Sequence, residues 1–495
     1  MGAVAARLAA SGVVLASGFR SLSDDDWARI AIAQRFAEAP AMDPSGTSWL
    51  PLPFWLLGGA MRALGATVEV AQGVALGSGV AATLLVLAAG RALGLPWGRA
   101  ALAAAVASLF PYSARLGVAA VPEALTAGCM VAGAAAATRL EARVRLAGGA
   151  ALLVATLSRY EAWPVAAGFA AFAALDAARH RSPALWLAGA AAAAGPIAWL
   201  AHGVAAHGDA LFFVARVAEY RRAVGGGGAG SVARLLGYPI ALARCEPELA
   251  VAAACTVAAW GAVLLGQRWE RLTPPPGVAA GTGGGSPSRH RFGGLLALVL
   301  AFLVVGELRD GAPTHHAERV LLPLWFAVAL LVGGALPRAA ASLRPGGRAA
   351  LASALVLGLP VAAGVLRPWF ARTDDFVDRT EELALGRTAR ALAAPEERLA
   401  IVTRDFAYFA VTAGFGAPSR VDILDDRDPR RAAGSPIWAS AGALEAALGA
   451  RPAAWLVVPA ESEAARAPLG AVARAGARHT LLRTGARLAP TPARP

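Results

Sequence analysis

The 495-residue chain is 57% hydrophobic and only 16% charged, with a mean hydropathy of +0.53, whereas a soluble enzyme carries roughly a quarter charged residues. This composition excludes a soluble globular enzyme and is that of a polytopic α-helical membrane protein. The formal charge of +13 and pI near 11.0 do not mark a nucleic-acid binder: lysine is absent, and many of the arginines stand in short loops between apolar runs, the positive-inside pattern. Cys129, Cys245 and Cys255 have no metal-like spacing, and neither a structural disulfide nor a cleavable leader is expected.

Apolar runs of about 17–25 residues are long enough to cross the hydrocarbon. The first covers about 3–19 and contains Arg7. A long loop, 20–68, follows. Within it Ser23-Asp24-Asp25-Asp26-Trp27 opens an amphipathic helix over Asp24–Glu38, with Ser23 as cap and the aspartates favouring the helix dipole. Three adjacent carboxylates repel one another and are expensive to bury in so apolar a chain, which marks them as used. Met42 to Thr47 is a turn, and Trp49–Leu64 is an apolar stretch broken early by Pro51 and Pro53. Further spans are expected near 70–90, 99–114, 119–137, 146–158, 163–177, 183–201, 247–266, 292–308, 319–337 and 348–366, about eleven in all. The alanine and glycine content suits helices packed backbone to backbone.

Arg91 and Arg99, then Arg139, Arg143 and Arg145, then Arg179 and Arg181, then Arg268, Arg271, Arg289 and Arg291, then Arg338, Arg344 and Arg348 occupy alternate connections. They are expected on the cytoplasmic side. The opposite, exoplasmic side then receives the aspartate loop, the Ser113–Glu123 connection, the Ser158–Glu161 turn, the 202–246 loop and Glu307–Arg319. The 202–246 loop has a helical candidate at Ala210–Arg222 and a flexible Gly225–Gly228 segment, read as a linker or a lid. The Pro/Gly-rich stretch 273–288 is a linker.

The residues from about 370 onward differ in kind. Leu399–Thr403 and Ala454–Val458 read as buried parallel strands, Val421–Leu424 and His479–Leu482 as further strands, and Ala441–Leu448 and Ala464–Arg474 as helices. The expected organisation is a membrane domain, 1–369, and a small α/β domain, 370–495, on the exoplasmic side.

Polar groups on that side form a coherent set. Asp24, Asp25 and Asp26 are acidic, Glu123 begins a span, Arg159 and Glu161 flank Tyr160, and His315, His316 and Arg319 precede another span. Arginines there bind phosphate by fork-like hydrogen bonds, and a carboxylate takes a proton from an incoming hydroxyl. Each also has a plainer reading: Arg159 and Glu161 as a local pair, Arg319 snorkelling to the interface, Glu123 as a helix N-terminal charge. Adjacent histidines point apart on a helix, so His315 and His316 are read as substrate contacts rather than joint metal ligands. No Walker A, GxSxG or HExxH motif occurs.

The order of these features resembles the membrane glycosyltransferases of the GT-C fold, in the family 39-like group that includes the dolichyl-phosphate-mannose protein mannosyltransferases and the aminoarabinose lipid A transferases. The resemblance rests on the acidic pair and aromatic helix at Asp25-Asp26-Trp27, the Pro-containing helix at Trp49–Trp55, the Ser158–Trp163 turn and Arg319-Val320-Leu321-Leu322-Pro323. It implies an inverting transferase in a bacterial inner membrane, with a cytoplasmic N-terminus and a periplasmic C-terminal domain. The donor implied is a polyprenyl-phosphate-linked monosaccharide and the acceptor a hydroxyl on a lipid, glycan or protein. Asp25, or Asp24 one register earlier, is the implied base. Arg319, with Arg159 as runner-up, meets the leaving phosphate, and Asp26 and Glu123 position groups or hold a divalent cation if one is used. The His-Pro-Pro sequence of the protein mannosyltransferases and the lysine of the lipid A transferases are absent, which weighs against those acceptors. A transporter or flippase for a lipid-linked or anionic substrate is the alternative; it predicts midspan charges and internal repeats, neither of which stands out.

Overall fold

The computed structural model describes residues 1–223, 231–272, 289–309, 317–366, 378–426, 428, 430, 435–466 and 470–484. The membrane part is built of α1 (Gly2–Ala16), α2 (Asp24–Glu38), α3 (Leu52–Leu64), α4 (Val68–Ala92), α5 (Trp97–Leu109), α6 (Pro111–Leu116), α7 (Glu123–Ala136), α8 (Ala142–Thr156), α9 (Trp163–His180), α10 (Pro183–His207), α11 (Phe212–Ala223), α12 (Ser231–Arg244), α13 (Pro247–Leu272), α14 (Arg289–Leu308), α15 (Leu322–Ser342) and α16 (Pro345–Val361). A helix stands at each expected span. Among the described residues six stretches, in α4, α10, α13, α14, α16 and the segment Glu318–Ser342, are long and apolar enough to cross a bilayer. At the other five expected spans stand α1, α5, α7, α8 and α9, of 13 to 18 residues. The 99–114 run is divided because Pro111 forces the chain at Phe110 out of the helical region and starts α6 afresh. α12 has no counterpart among the sequence expectations. The Gly225–Gly228 and 273–288 linkers, the boundary near 370 and both His315 and His316 lie outside the described residues.

α7 is the axis of the bundle. All but two of its residues are buried, with α4, α8 and α15 packed around it. The approach is close because the contacts are small: a Cβ on Gly128 would lie 2.8 Å from the Ala82 backbone, and one on Gly333 would lie 2.4 Å from that of Ala103. Arg7, inside the first apolar run, is fully buried and satisfied. It donates to the Ser113 carbonyl (2.8 Å), Ser113 Oγ (2.7 Å) and Thr83 Oγ1 (3.1 Å), pinning α1 to α4 and α6. α16 has no buried residue and belongs to the bundle's perimeter.

The C-terminal part continues with α17 (Thr380–Leu392), β1 (Leu399–Val402), α18 (Tyr408–Phe415), β2 (Val421–Asp425), α19 (Ala441–Ala450), β3 (Trp455–Pro459), α20 (Glu463–Arg466), β4 (Gly470–Ala475) and β5 (His479–Thr484). The sheet order is β2-β1-β3-β5-β4, with β1 parallel to β2 and β3, and β5 antiparallel to β3 and β4. The expected strands are present. The helix expected over Ala464–Arg474 is a correction: among the described residues there only Glu463–Arg466 is helical, and Gly470–Ala475 is the edge strand β4. Helix-forming alanines lose here to hairpin pairing with β5. The turn is fixed by Glu381, whose carboxylate accepts from the backbone N–H groups of Ala477, Arg478 and His479.

α2 lies between bundle and sheet domain. Trp27, Ile30 and Ala33 share a core with Leu57 and Met61 of α3 on one side and Leu383, Ala410 and Ala413 of the C-terminal part on the other. Gln34 is the polar pin: its Nε2 donates to the Ala66 carbonyl (3.1 Å) and the Ala413 carbonyl (2.9 Å). Gln34→Ala is expected to cost about 1–3 kcal/mol by stranding these carbonyls. The loss is read as a lower thermal midpoint in detergent and faster release of a C-terminal fragment in limited proteolysis; an unchanged midpoint would show that Gln34 does not hold the two parts together.

Candidate active site

α2 starts where the sequence places it. Ser23 is extended at the N-cap, and Asp26 at the third helical position turns back to accept from Leu22 N–H (3.2 Å) and Ser23 N–H (3.1 Å), a capping-box arrangement. This orientation sends the three aspartates to three different partners. Asp24 receives a two-pronged contact from Arg379 of the C-terminal part, Nε to Oδ1 at 2.8 Å and Nη2 to Oδ2 at 2.9 Å, and Arg379 also reaches Asp405 at 2.9 Å. Asp25 meets Arg319, Nη2 to Oδ2 at 2.8 Å, and its side chain keeps 30% exposure. Asp26 is buried against its own helix start.

Arg319 opens a chain of ion pairs that draws in four separate segments. Its Nε lies 3.1 Å from Glu123 Oε1 at the start of α7. Arg159 Nη1 donates to the same Glu123 oxygen at 2.6 Å, and Arg159 Nε pairs with Glu161. Thus Asp25, Glu123, Arg159, Glu161 and Arg319, separated by as many as 294 positions, stand in one network. The local pair of Arg159 and Glu161 is present, but it is one link of this larger network, and Arg319 is 5% exposed and ion-paired rather than at the interface alone. Nη1 of Arg319 and Oε2 of Glu123 are buried without hydrogen-bond partners among the described residues, so the network has unused polar capacity.

Similarity to known proteins enters only through structure. No protein-family model and no curated protein matches the sequence. The crystal structure of ArnT from Cupriavidus metallidurans bound to undecaprenyl phosphate aligns with a TM-score of 0.56 at 17% identity, covering 97% of each chain. The same protein in the apo state gives 0.50 at 14% identity, over 96% of this chain and 97% of that one. The apo oligosaccharyltransferase from Archaeoglobus fulgidus gives 0.49 at 12% identity, over 93% and 70%. The chain has the GT-C fold.

Within this GT-C scaffold, sequence reading missed several residues that shape the site. Arg29 is buried one helical turn after Asp25, its guanidinium 4.3 Å over the Trp49 ring, and it feels the charges of Glu123 and Asp25. Burial lowers its pKa to about 10. The i, i+4 spacing from Asp25 was the available signal. Tyr112 donates its hydroxyl to Glu318 and its N–H to Glu246 (2.7 Å), bracing the segment just before Arg319. Tyr220 of α11 is pushed above the usual phenol range by burial, with Asp25 and Asp428 adding to it, and Arg430 lies 5.9 Å from its ring. Nothing in the local sequence announces these last partners.

Burial raises the Asp26 carboxyl to about 7, against the lowering effects of the Ser23 N–H and of Arg319. A folded-state pKa above the unfolded value of about 3.9 means that the folded protein holds this proton more tightly. Stability contributed at acid pH is therefore lost as pH climbs from about 4 to about 7, by about 1.4 kcal/mol for each pH unit crossed, and is level above that. Asp26→Asn retains an acceptor for both N–H groups. Its thermal midpoint is expected to fall less than that of wild type between pH 4 and 7; parallel profiles would remove Asp26 as the titrating group.

Proposed function

We propose that this chain is an integral-membrane inverting glycosyltransferase that moves a monosaccharide from a polyprenyl-phosphate carrier to an acceptor hydroxyl at the exoplasmic face. The observation that carries this reading is the meeting of a partly exposed carboxylate, Asp25, with the buried Arg319–Glu123–Arg159 network at one end of a GT-C bundle. The solved structure of similar fold with undecaprenyl phosphate bound supports a lipid-phosphate carrier as donor. A cleft lined mainly by apolar side chains, among them Phe54, Leu57, Val74 and Leu125, also takes in Arg29 and Ser158, which suits a hydrocarbon chain with its phosphate at a guanidinium.

In the proposed reaction the acceptor oxygen attacks the anomeric carbon from the face opposite the phosphate. The acceptor proton passes to the Asp25 carboxylate, the new C–O bond forms, and the bond to the phosphate oxygen breaks with its electron pair leaving on the phosphate. One displacement inverts the anomeric centre. Arg319, whose Nη1 lacks a partner among the described residues, meets the growing phosphate charge, while Arg159, itself paired with Glu161, holds Glu123 and so fixes Arg319. Asp24 is committed to Arg379 and serves as the tie to the C-terminal domain, which favours the register with Asp25 as base. A divalent cation does not fit between Asp26 and Glu123: Glu123 already faces two guanidiniums, with a third, that of Arg29, close by. No step is assigned to one.

A transporter reading gains little from this geometry, since the charged network sits at helix ends rather than across the bundle. The test is an assay of purified protein with a panel of polyprenyl-phosphate sugars and mass spectrometry of the products. Asp25→Asn is expected to lower transfer by about 10²- to 10⁴-fold with the thermal midpoint retained. Asp24→Asn is expected to keep transfer within about ten-fold while loosening the C-terminal domain. Near-normal transfer in Asp25→Asn would sink the base assignment.

A further inference from the structure

We propose that Asp43, His202 and His207 form a zinc-class metal site that fastens the long loop after α2 to the end of α10. One ligand atom from each of the three residues lies within 4.8 Å of the others. His202 and His207 come from the last turns of α10, which ends at Gly208 with φ of +70°. Asp43 comes from the loop between α2 and α3. Sequence spacing hides the group, because 159 positions separate its carboxylate from its first imidazole and His-x4-His is not a familiar ligand pattern.

Three further observations point to a ligand. His202 Nε2 is buried with no hydrogen-bond partner among the described residues, a costly state for an imidazole nitrogen unless something takes its lone pair or proton. The Asp43 carboxylate is already oriented: its Oδ1 accepts from Ser45 N–H (3.1 Å), Ser45 Oγ (3.0 Å) and Gly46 N–H (3.0 Å), leaving Oδ2 for an ion. Such outer hydrogen bonds are how proteins aim metal-binding carboxylates. Both rings are braced by aromatic neighbours, His202 on Trp199 at 5.0 Å and His207 on Phe212 at 4.1 Å.

Two imidazoles and one carboxylate suit a borderline cation such as Zn²⁺, not Mg²⁺ or Ca²⁺, which want oxygen shells. Metal–ligand bonds of about 2.0–2.1 Å in a tetrahedron put ligand atoms roughly 3.3–3.5 Å apart. The atoms therefore have to close by no more than about 1.5 Å, a movement the exposed His207 side chain can make. The fourth position is left for water.

The ion would act as a positioning brace and not as part of the transfer chemistry. Arg216 Nη1 already donates to the Gly46 carbonyl (2.8 Å), and the Tyr160 hydroxyl donates to the Ser48 carbonyl (2.8 Å) and accepts from Trp199 Nε1 (3.1 Å). The metal adds a stronger clasp to this same junction, next to the turn that carries Arg159 and Glu161.

Metal binding can be measured whether or not the transferase reading holds. Untagged, chelator-treated full-length protein in detergent is titrated with ZnCl₂, and retained metal is counted by elemental analysis after gel filtration. One equivalent per chain is expected, with a higher thermal midpoint; Co²⁺ should give the intense visible bands of a tetrahedral site. His207→Gln, at an exposed position that leaves the fold intact, and Asp43→Asn should each weaken zinc binding at least ten-fold, and MgCl₂ should not compete. The proposal is overturned if wild type retains no stoichiometric zinc, if both variants bind as wild type does, or if Mg²⁺ displaces zinc at equal concentration.

Discussion

The structure depends on a rule of electrostatics at low dielectric: charges taken out of water persist only where opposite charges meet them with good geometry. Arg319, Glu123, Arg159 and Glu161 are all nearly or fully buried, and they come from α7, the turn before α9 and the turn before α15. None of these segments can move off alone without stranding a buried charge. Removing one partner of such a pair typically costs about 3–5 kcal/mol, comparable with the net stability of many domains. The network is therefore a geometric lock as much as a chemical site, and it holds Asp25 at its open end.

α2 transmits that lock to the rest of the molecule. A surface helix normally buries one stripe and leaves the other wet. α2 instead has a neighbour on either side, the bundle through Trp27, Ile30 and Leu57 and the sheet domain through Leu383, Ala410 and Ala413. The polar residues along it divide accordingly: Asp25 and Arg29 turn toward the buried network, Asp24 toward the C-terminal part, and Gln34 bonds to both sides. Asp26 is spent on the helix start itself. Three chemically identical neighbours thus acquire different roles from the roughly 100° rotation per residue of the helix and from what each side meets.

Much of this was legible in the sequence because it is local. Apolar runs give the positions of the helices whether or not they are long enough to be spans, and Ser23 with its aspartates gives the start of α2 to the residue. The strands β1, β2, β3 and β5 are marked by short apolar runs with turn residues between them. What was not legible is what depends on distant partners. β4 is written in alanine and arginine and becomes a strand only because β5 pairs with it. Arg379 lies 355 positions from Asp24, and no local pattern ties them. The division of labour between Asp24 and Asp25 follows from those distant arginines, so residue type and spacing alone left the register open. Arg29 was within reach through its i, i+4 relation to Asp25, but an arginine on an amphipathic helix is too common to stand out.

The Asp24–Arg379 contact also bears on the order of assembly. Chains of this kind are threaded into the bilayer as they are made, so the loop with its aspartates is in place long before position 379 has been translated. Until then Asp24 lacks its countercharge, and the apolar side of α2 that later faces the sheet domain stays wet. The aspartate loop thus reaches the geometry described above only after the segment carrying Arg379 has been made and has folded against it. A chain made just past Arg319 has every member of the buried network, while the helix that presents Asp25 is still held from one side only.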